Sequence, residues 1–110
     1  MRAITLVLVF VDRQAPGVDD ATLERLVRDA WGPLLRALHE APSLRVGLVL
    51  SGTLGRYVEA SHPTLMTTLQ TLAARGQVEV VGSPSHGALL HLVSERDAIA
   101  QLRQHLRWLA

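Results

Sequence analysis

The stretch Arg75-Gly76-Gln77-Val78-Glu79-Val80-Val81-Gly82 decides the fold, because it joins the end of a helix to a short strand. Residues 63–74, just before it, repeat leucine at three- and four-residue spacing, which is typical of one helix face. Arg75 and Gly76 then provide a cation and a residue suited to a left-handed helix stop. The valines that follow favour a strand, and Gly82 begins the next loop. The stretch therefore predicts a helix followed directly by a strand.

Two further strands are predicted nearer the N-terminus. Residues 4–11 form a continuous apolar run, which is typical of a strand covered on both faces. Residues 44–50 alternate, with Val46, Leu48 and Leu50 on one face. Helical segments separate and follow the strands, so the order is βαβαβα. This order predicts an α/β fold with a parallel sheet, strand order 1-2-3 and right-handed crossovers.

The helices carry recognisable start signals and apolar stripes. Asp19 or Asp20 is suited to cap the first helix, which Gly32 and Pro33 are expected to kink or split. Ser94, with Asp97 three residues later, is suited to begin the last helix. His39 and His105 are expected to face solvent. The predicted buried stripe of the first helix is Leu23, Leu26, Val27, Ala30, Trp31, Leu34, Leu35 and Leu38, and that of the last is Ile99, Leu102, Leu106 and Leu109.

Composition restricts the chain to one domain, residues 1–110, or a piece of one. Net charge is +1, all eleven basic residues are arginine and they are scattered, so no nucleic-acid surface is predicted. The chain has no cysteine, which excludes disulfides and thiolate metal sites and fits a reducing, cytoplasmic setting. No stretch has the length of a membrane span, and the apolar N-terminal run lacks a signal-peptide cleavage pattern. No cofactor is indicated.

The carboxyl ends of the strands are where parallel α/β folds bind ligands, so residues 12–14, 51–53 and 83–86 form the first candidate site. Glu79 interrupts an apolar strand, either lining a cavity or lying on a wet edge strand, and periodicity leaves both interpretations open. Asp12 and Arg13 are expected to form a surface ion pair. The segment 51–55 lacks the lysine of a phosphate loop and predicts a plain strand-to-helix turn. The histidines have no metal-site spacing.

In order and spacing, residues 30–102 resemble the N-terminal region of the family 57 glycoside hydrolases, which include α-amylase-like enzymes and 4-α-glucanotransferases. The shared pieces are Trp31-Gly32-Pro33-Leu34-Leu35, Leu44-Arg45-Val46, Ser51-Gly52, His62-Pro63, the stretch 75–82, Pro84, His86, Leu89-Leu90, Glu95-Arg96-Asp97 and Gln101. The most specific is Arg-Gly-Gln-Val-Glu-Val-Val-Gly, which is similar to the family's second signature.

The resemblance implies that the chain holds the first three β/α units of a parallel (β/α)7-type barrel, hence an incomplete barrel that acts on α-glucans. It implies that Glu79 contacts sugar, with His86, Arg13 and Gln14 as further substrate-binding positions. The family's glutamate nucleophile and aspartate acid/base lie on strands four and seven, beyond Ala110, so we expect no catalytic residue here and an inactive chain. We also expect an unclosed sheet that self-associates or binds a complementing chain.

One departure leaves alternatives open. The family's first signature is typically His-x-His-Gln-Pro, whereas residues 11–16 read Val-Asp-Arg-Gln-Ala-Pro, with Arg13 nearest to the sugar-contacting histidine. An arginine cannot replace a neutral imidazole, which favours a non-catalytic module that binds sugar or protein. A flavodoxin-like domain and a polysaccharide deacetylase remain weaker alternatives, since Asp12 fits both but the deacetylase His-x-x-x-His pair is missing.

Overall fold

A computed structural model describes residues 7–11, 14, 17–86 and 88–109. Within these ranges the strands are β1 (Val9–Val11), β2 (Val46–Val49) and β3 (Val78–Val80). The helices are α1 (Asp20–Leu26), α2 (Gly32–Glu40), α3 (Gly52–Ser61), α4 (Pro63–Ala74) and α5 (Glu95–Leu109). A π-helical turn (Val27–Trp31) joins α1 to α2, and a short 3-10 turn (Leu90–Leu92) precedes α5.

The three strands form one parallel sheet in the order β1-β2-β3, as the sequence predicts. Phe10, Leu48 and Val80 are register partners on one face, and Val9, Gly47 and Glu79 are register partners on the other. The alternation of side chains along a strand makes these two faces chemically separate surfaces.

The core lies on one face only. Val46, Leu48, Leu50 and Val78 of the sheet are buried against apolar side chains of the helices. Those helical residues are Leu23, Val27, Trp31, Leu35, Leu38, Leu54, Val58, Leu69 and Leu72. The prediction of a β1 covered on both faces is wrong within Val9–Val11, because all three residues are exposed. The predicted strand residues 4–6 lie outside the described ranges.

The predicted helix boundaries are largely confirmed. Asp19 caps α1, its carboxylate accepting a hydrogen bond from the Thr22 backbone N–H at 2.9 Å. Pro63 opens α4, and Gly76 adopts a positive φ of 69° just after that helix. Ser94 accepts a hydrogen bond from the Asp97 backbone N–H at 3.1 Å and donates one to the Asp97 carboxylate at 2.7 Å.

The predicted split of the first helix takes the form of a π turn. The Gly32 N–H bonds to the carbonyl of Val27, five residues back, and the helix resumes with Pro33 in its first turn. A Cβ at Gly32 would lie 2.8 Å from that carbonyl oxygen, so a glycine is required at this position. Trp31, at the end of this turn, and Leu35, in the helix that follows, are both buried in the core.

The predicted buried stripe of α5 is wrong at three of its four positions, and the fourth, Leu109, is half-buried. Ile99, Leu102 and Leu106 are exposed, whereas His105 is only 1% exposed. The helix packs through His105 and Trp108 instead, because Gly55 of α3 leaves room for the Trp108 ring. The apolar pattern therefore predicts the wrong buried stripe, because three of its four residues are exposed.

Candidate functional site

The loops that follow β2 and β3 meet, as their topology predicts. The Gly52 backbone N–H donates a 2.8 Å hydrogen bond to the carbonyl of Ser85. A Cβ at Gly52 would lie 2.5 Å from the Ser85 hydroxyl oxygen, so this close approach needs a glycine. Ser85 is buried at the contact. The carboxyl ends of two strands are therefore locked together by direct contact.

The turn after β2 is an ordinary helix start. Ser51 caps α3, its hydroxyl accepting a 3.2 Å hydrogen bond from the Leu54 backbone N–H. The Gly52 amide is already bonded to Ser85. The local bonds confirm the interpretation of segment 51–55 as a strand-to-helix turn.

Glu79 is the middle residue of β3 and is exposed on the face opposite the helices. Its register partner is Gly47 of β2, and the same face carries Val9 and Val81. Within the described ranges, no hydrogen bond or ion pair joins Glu79 to another side chain. Its carboxylate is therefore an accessible hydrogen-bond acceptor on an otherwise apolar surface.

His86 is half-buried in the loop after β3. Its backbone N–H donates to the Gln101 side-chain oxygen of α5 at 3.3 Å, which ties the loop to that helix. The ring Nδ1 is buried and has no hydrogen-bond partner among the described residues. Among the described residues, no hydrogen bond or ion pair joins His86 to Glu79.

Of the candidate residues that follow β1, the structure describes Gln14. Gln14 is half-buried and borders a small cavity that Phe10 and Trp31 also line. The predicted positions Asp12 and Arg13, and the expected ion pair between them, lie outside the described residues.

His105 is a buried residue that the sequence reasoning placed in solvent. Burial lowers the pKa of its imidazole below the ordinary value of 6.5, and the Val81 backbone carbonyl partly opposes the shift. The ring packs near Trp108, with centroids 5.8 Å apart. Burial therefore favours the neutral form of the His105 imidazole next to the end of β3.

A second polar cluster, which the sequence did not reveal, joins α1 to the junction of α3 and α4. The Glu24 Oε2 atom accepts a hydrogen bond from the Tyr57 hydroxyl at 2.6 Å and lies 2.6 Å from the His62 Nε2. The Tyr57 hydroxyl and then His62 lower the pKa of Glu24, and Glu24 raises that of Tyr57. Its members are 33 and 38 residues apart, so no local spacing could have found it.

Gln77, just before β3, is also buried and polar. Its side-chain amide donates to the carbonyls of Leu38 and Ala41 at the end of α2, the second at 2.9 Å. Arg75 donates to the Gln77 side-chain oxygen at 2.9 Å. These bonds satisfy carbonyls that a helix end leaves free, and they fix the start of the strand that carries Glu79.

No group of three histidine, cysteine or acidic side chains in the described ranges could hold a metal ion. None of the helices described is both long enough and apolar enough to cross a membrane.

The known proteins that are similar to this chain include α-amylases and 4-α-glucanotransferases. An α-amylase of Pyrococcus horikoshii is 27% identical over 98% of this chain, and a 4-α-glucanotransferase of Thermococcus litoralis is 24% identical over 93%. This chain spans only 17% and 16% of those two proteins. A crystal structure of the T. litoralis 4-α-glucanotransferase matches with a TM-score of 0.90 at 22% identity, over 94% of this chain and 16% of that one.

A match to a family sequence pattern over most of the chain shows which family it belongs to. The sequence pattern described as Glycosyl hydrolase family 57 matches residues 19–110, which include α1 to α5, β2 and β3. The ordered motifs between Trp31 and Gln101 lie inside this match. The chain therefore belongs to glycosyl hydrolase family 57.

Proposed function

We propose that this chain forms the first three β/α units of an α-glucan-acting barrel, as one unit over residues 1–110, and that Glu79 contacts the sugar. The observation that carries the proposal is the exposed Glu79 carboxylate in the middle of an apolar parallel strand, on the face without helices. In a closed barrel this face becomes the interior, where a carboxylate is unfavourable unless it has a ligand or a partner. The printed activities of the relatives, α-amylase and 4-α-glucanotransferase, supply the substrate class.

The strand order supports the barrel. Strands that follow one another in the order β1-β2-β3 through right-handed crossovers place every helix on one face. Repeating that step curls a sheet into a barrel with helices outside and strand residues inside. Glu79 and Gly47 would then face the barrel interior.

The chemistry proposed for this chain is binding and orientation of sugar. The Glu79 carboxylate can accept hydrogen bonds from two sugar hydroxyls at once. His86, Gln14 and Arg13, which follow the strand ends, are proposed as further sugar contacts. Retaining glycoside cleavage needs two carboxyl groups about 5–5.5 Å apart across the bond. Within the described ranges Glu79 is the only acidic residue on its sheet face, so we propose that the cleaving pair belongs to other barrel strands and that the chain alone is inactive.

The alternative is a non-catalytic module that binds sugar or protein. The sequence Val11-Asp12-Arg13-Gln14 favours it, because arginine stands where the family has a sugar-contacting histidine. Both functions share the same surface and differ in whether a cleaving pair is ever assembled with it. For either, we propose a cytoplasmic location, which the absence of cysteine supports.

Titration calorimetry with maltoheptaose tests the proposal. We expect weak binding, with a Kd of about 1 mM, because only part of a cleft is present. Glu79→Gln should weaken binding several-fold, since it replaces a charged acceptor by a neutral amide. Glu95→Gln, at an exposed glutamate in the first turn of α5, is the matched control and should bind as the parent does. If Glu79→Gln binds maltoheptaose as tightly as Glu95→Gln does, Glu79 does not contact the sugar.

A further inference from the structure

A cleft between α4 and α5 lies on the helical side of the sheet. It has a volume of about 270 Å³ and is open to solvent. Val80 of β3 and Leu69 of α4 give it an apolar lining, to which Trp108 of α5 adds an aromatic ring. Glu59 of α3 and Gln70 of α4 are its exposed polar side chains. An apolar lining with a few polar groups is the usual composition of a small-ligand site.

The sheet separates this cleft from Glu79. Glu79 and Val80 are consecutive residues of β3, so their side chains point to opposite faces of the sheet. Glu79 lies on the face without helices, whereas Val80 is packed against the core on the other face. A ligand in the cleft would therefore make its contacts independently of Glu79.

Two contacts with α3 hold the Trp108 ring in place. The benzene edge of the ring lies against Gly55, where a Cβ would come within 2.5 Å of it. The indole N–H donates a 3.3 Å hydrogen bond to the Glu59 Oε2 atom. This bond uses one carboxylate oxygen, so Glu59 keeps acceptor capacity for a ligand. One wall of the cleft is thus a fixed aromatic ring with an oriented carboxylate beside it.

Gln70 supplies a complementary polar group on the α4 side of the cleft. Within the described ranges its side-chain amide makes no hydrogen bond, so its two donor hydrogens and its acceptor oxygen are available. An amide, a carboxylate and an aromatic ring together match a molecule with apolar C–H faces and hydroxyl edges, which is the chemistry of a pyranose sugar. Among the described residues that line the cleft there is no cation, so an anionic ligand has no support.

We propose that this cleft is a second α-glucan-binding site, in which Trp108 stacks on a glucose ring while Glu59 and Gln70 bond its hydroxyls. The choice of α-glucan rests on the proposed function, whereas the position of the site rests on the cleft itself. Ligand pockets usually have volumes of about 300–1,000 Å³, so this cleft accommodates roughly one or two sugar rings. It would hold part of a glucan chain on the helical side of the sheet, away from the sugar contacted by Glu79.

An NMR titration with maltotriose tests the second site. The indole N–H resonance of Trp108, assigned by its loss in Trp108→Leu, reports binding in the cleft. Gln70→Ala removes the amide, and Thr71→Ala, at the next exposed position of α4 and outside the cleft lining, is its matched control. Glu79→Gln is included because it changes only the site on the opposite face. Circular dichroism verifies that each variant folds.

We expect the Trp108 resonance to shift with a Kd of about 1–10 mM, because the contact is small. Gln70→Ala should raise that Kd about fivefold, through the loss of a hydrogen bond, and Thr71→Ala should leave it unchanged. The absence of a shift, or a Kd that Gln70→Ala does not change, would overturn the second site. If Gln70→Ala is unfolded, Glu59→Gln replaces it, with the same outcomes.

The Glu79→Gln variant distinguishes the two sites. We expect it to keep the parent's Kd at Trp108. If it abolishes the Trp108 shift, sugar binds at one site only and the cleft is not a separate site. If Trp108 titrates while the backbone amide of Gly47, on the opposite face, does not respond to sugar, the cleft site stands and the proposed contact of Glu79 with sugar is wrong.

Discussion

Gly47 of β2 and Glu79 of β3 are register partners, so the only carboxylate described on the sheet face opposite the helices stands beside a residue without a side chain. A Cβ at Gly47 would lie 3.4 Å from a Val9 methyl group and 3.5 Å from a Val81 methyl group, which are ordinary contact distances. Packing within the sheet therefore does not require glycine here. The bare backbone leaves a notch next to the carboxylate, open to whatever approaches that face.

The first prediction concerns this notch. Gly47→Ala should raise the free energy of unfolding by about 0.5–1 kcal/mol, because glycine is unfavourable inside a strand. The same change should weaken maltoheptaose binding, since the methyl group fills the space beside Glu79. Urea unfolding and calorimetry measure the two effects. Gly82→Ala, at a loop glycine with nothing within 4 Å, is the control for the general effect of replacing glycine. A destabilised Gly47→Ala chain would show that the notch is a packing requirement.

The second prediction concerns the contact that seats α5. A Cβ at Gly55 would lie 2.5 Å from the Trp108 ring, so Gly55→Ala must displace the helix or the ring. We expect a loss of about 1–3 kcal/mol in the free energy of unfolding, as for other overpacked cores. Trp108→Leu in the same chain should recover part of that loss, which a double-mutant cycle in urea measures. If the effects of Gly55→Ala and Trp108→Leu on the free energy of unfolding are additive, α5 does not pack on Gly55 through Trp108.

How far the sequence could predict this structure depends on the range of the interactions. The Asp19 and Ser94 caps and the left-handed Gly76 were predictable, because each depends on neighbouring residues. The strand order was predictable from the alternation of strands and helices along the chain. The buried face of α5 was not, because it is decided by a cavity beside Gly55 on another helix.

The sequence could predict which residues belong to the candidate site, but not which sheet face or which partners they have. Glu79 was singled out because it interrupts an apolar strand, but its face could be assigned only from the register with Gly47. The buried amide of Gln77 serves carbonyls of Leu38 and Ala41, 39 and 36 residues away, and leaves no periodic signal.

The third prediction concerns pH and His105. Burial lowers the pKa of its imidazole, so the unfolded chain binds a proton that the folded chain does not between that lowered pKa and 6.5. Stability is therefore complete above about pH 6.5 and falls as pH drops through this window. Urea midpoints measured from about pH 5 to pH 8 should show the decline, and His105→Leu should flatten it. His91→Gln, at an exposed histidine, should keep the parent's slope.

The fourth prediction concerns Glu24, whose pKa the Tyr57 hydroxyl and His62 hold below the ordinary value of 4.5. A lowered carboxylate pKa contributes stability that is present above 4.5 and is lost as pH falls through the folded value. Glu24→Gln should lower the denaturation midpoint at neutral pH and remove this acidic decline. Tyr57→Phe should give a smaller effect in the same direction. If Glu24→Gln unfolds with the parent's pH profile, the cluster does not hold α1 to the α3–α4 junction.

Contact between Glu79 and sugar is tested by following the backbone amide resonances of the chain while maltoheptaose is added. We expect the largest shifts at Gly47, Glu79 and Val81, and we expect Glu79→Gln to suppress them. Shifts confined to the helical side of the sheet, or shifts unchanged in Glu79→Gln, would contradict a sugar-facing Glu79.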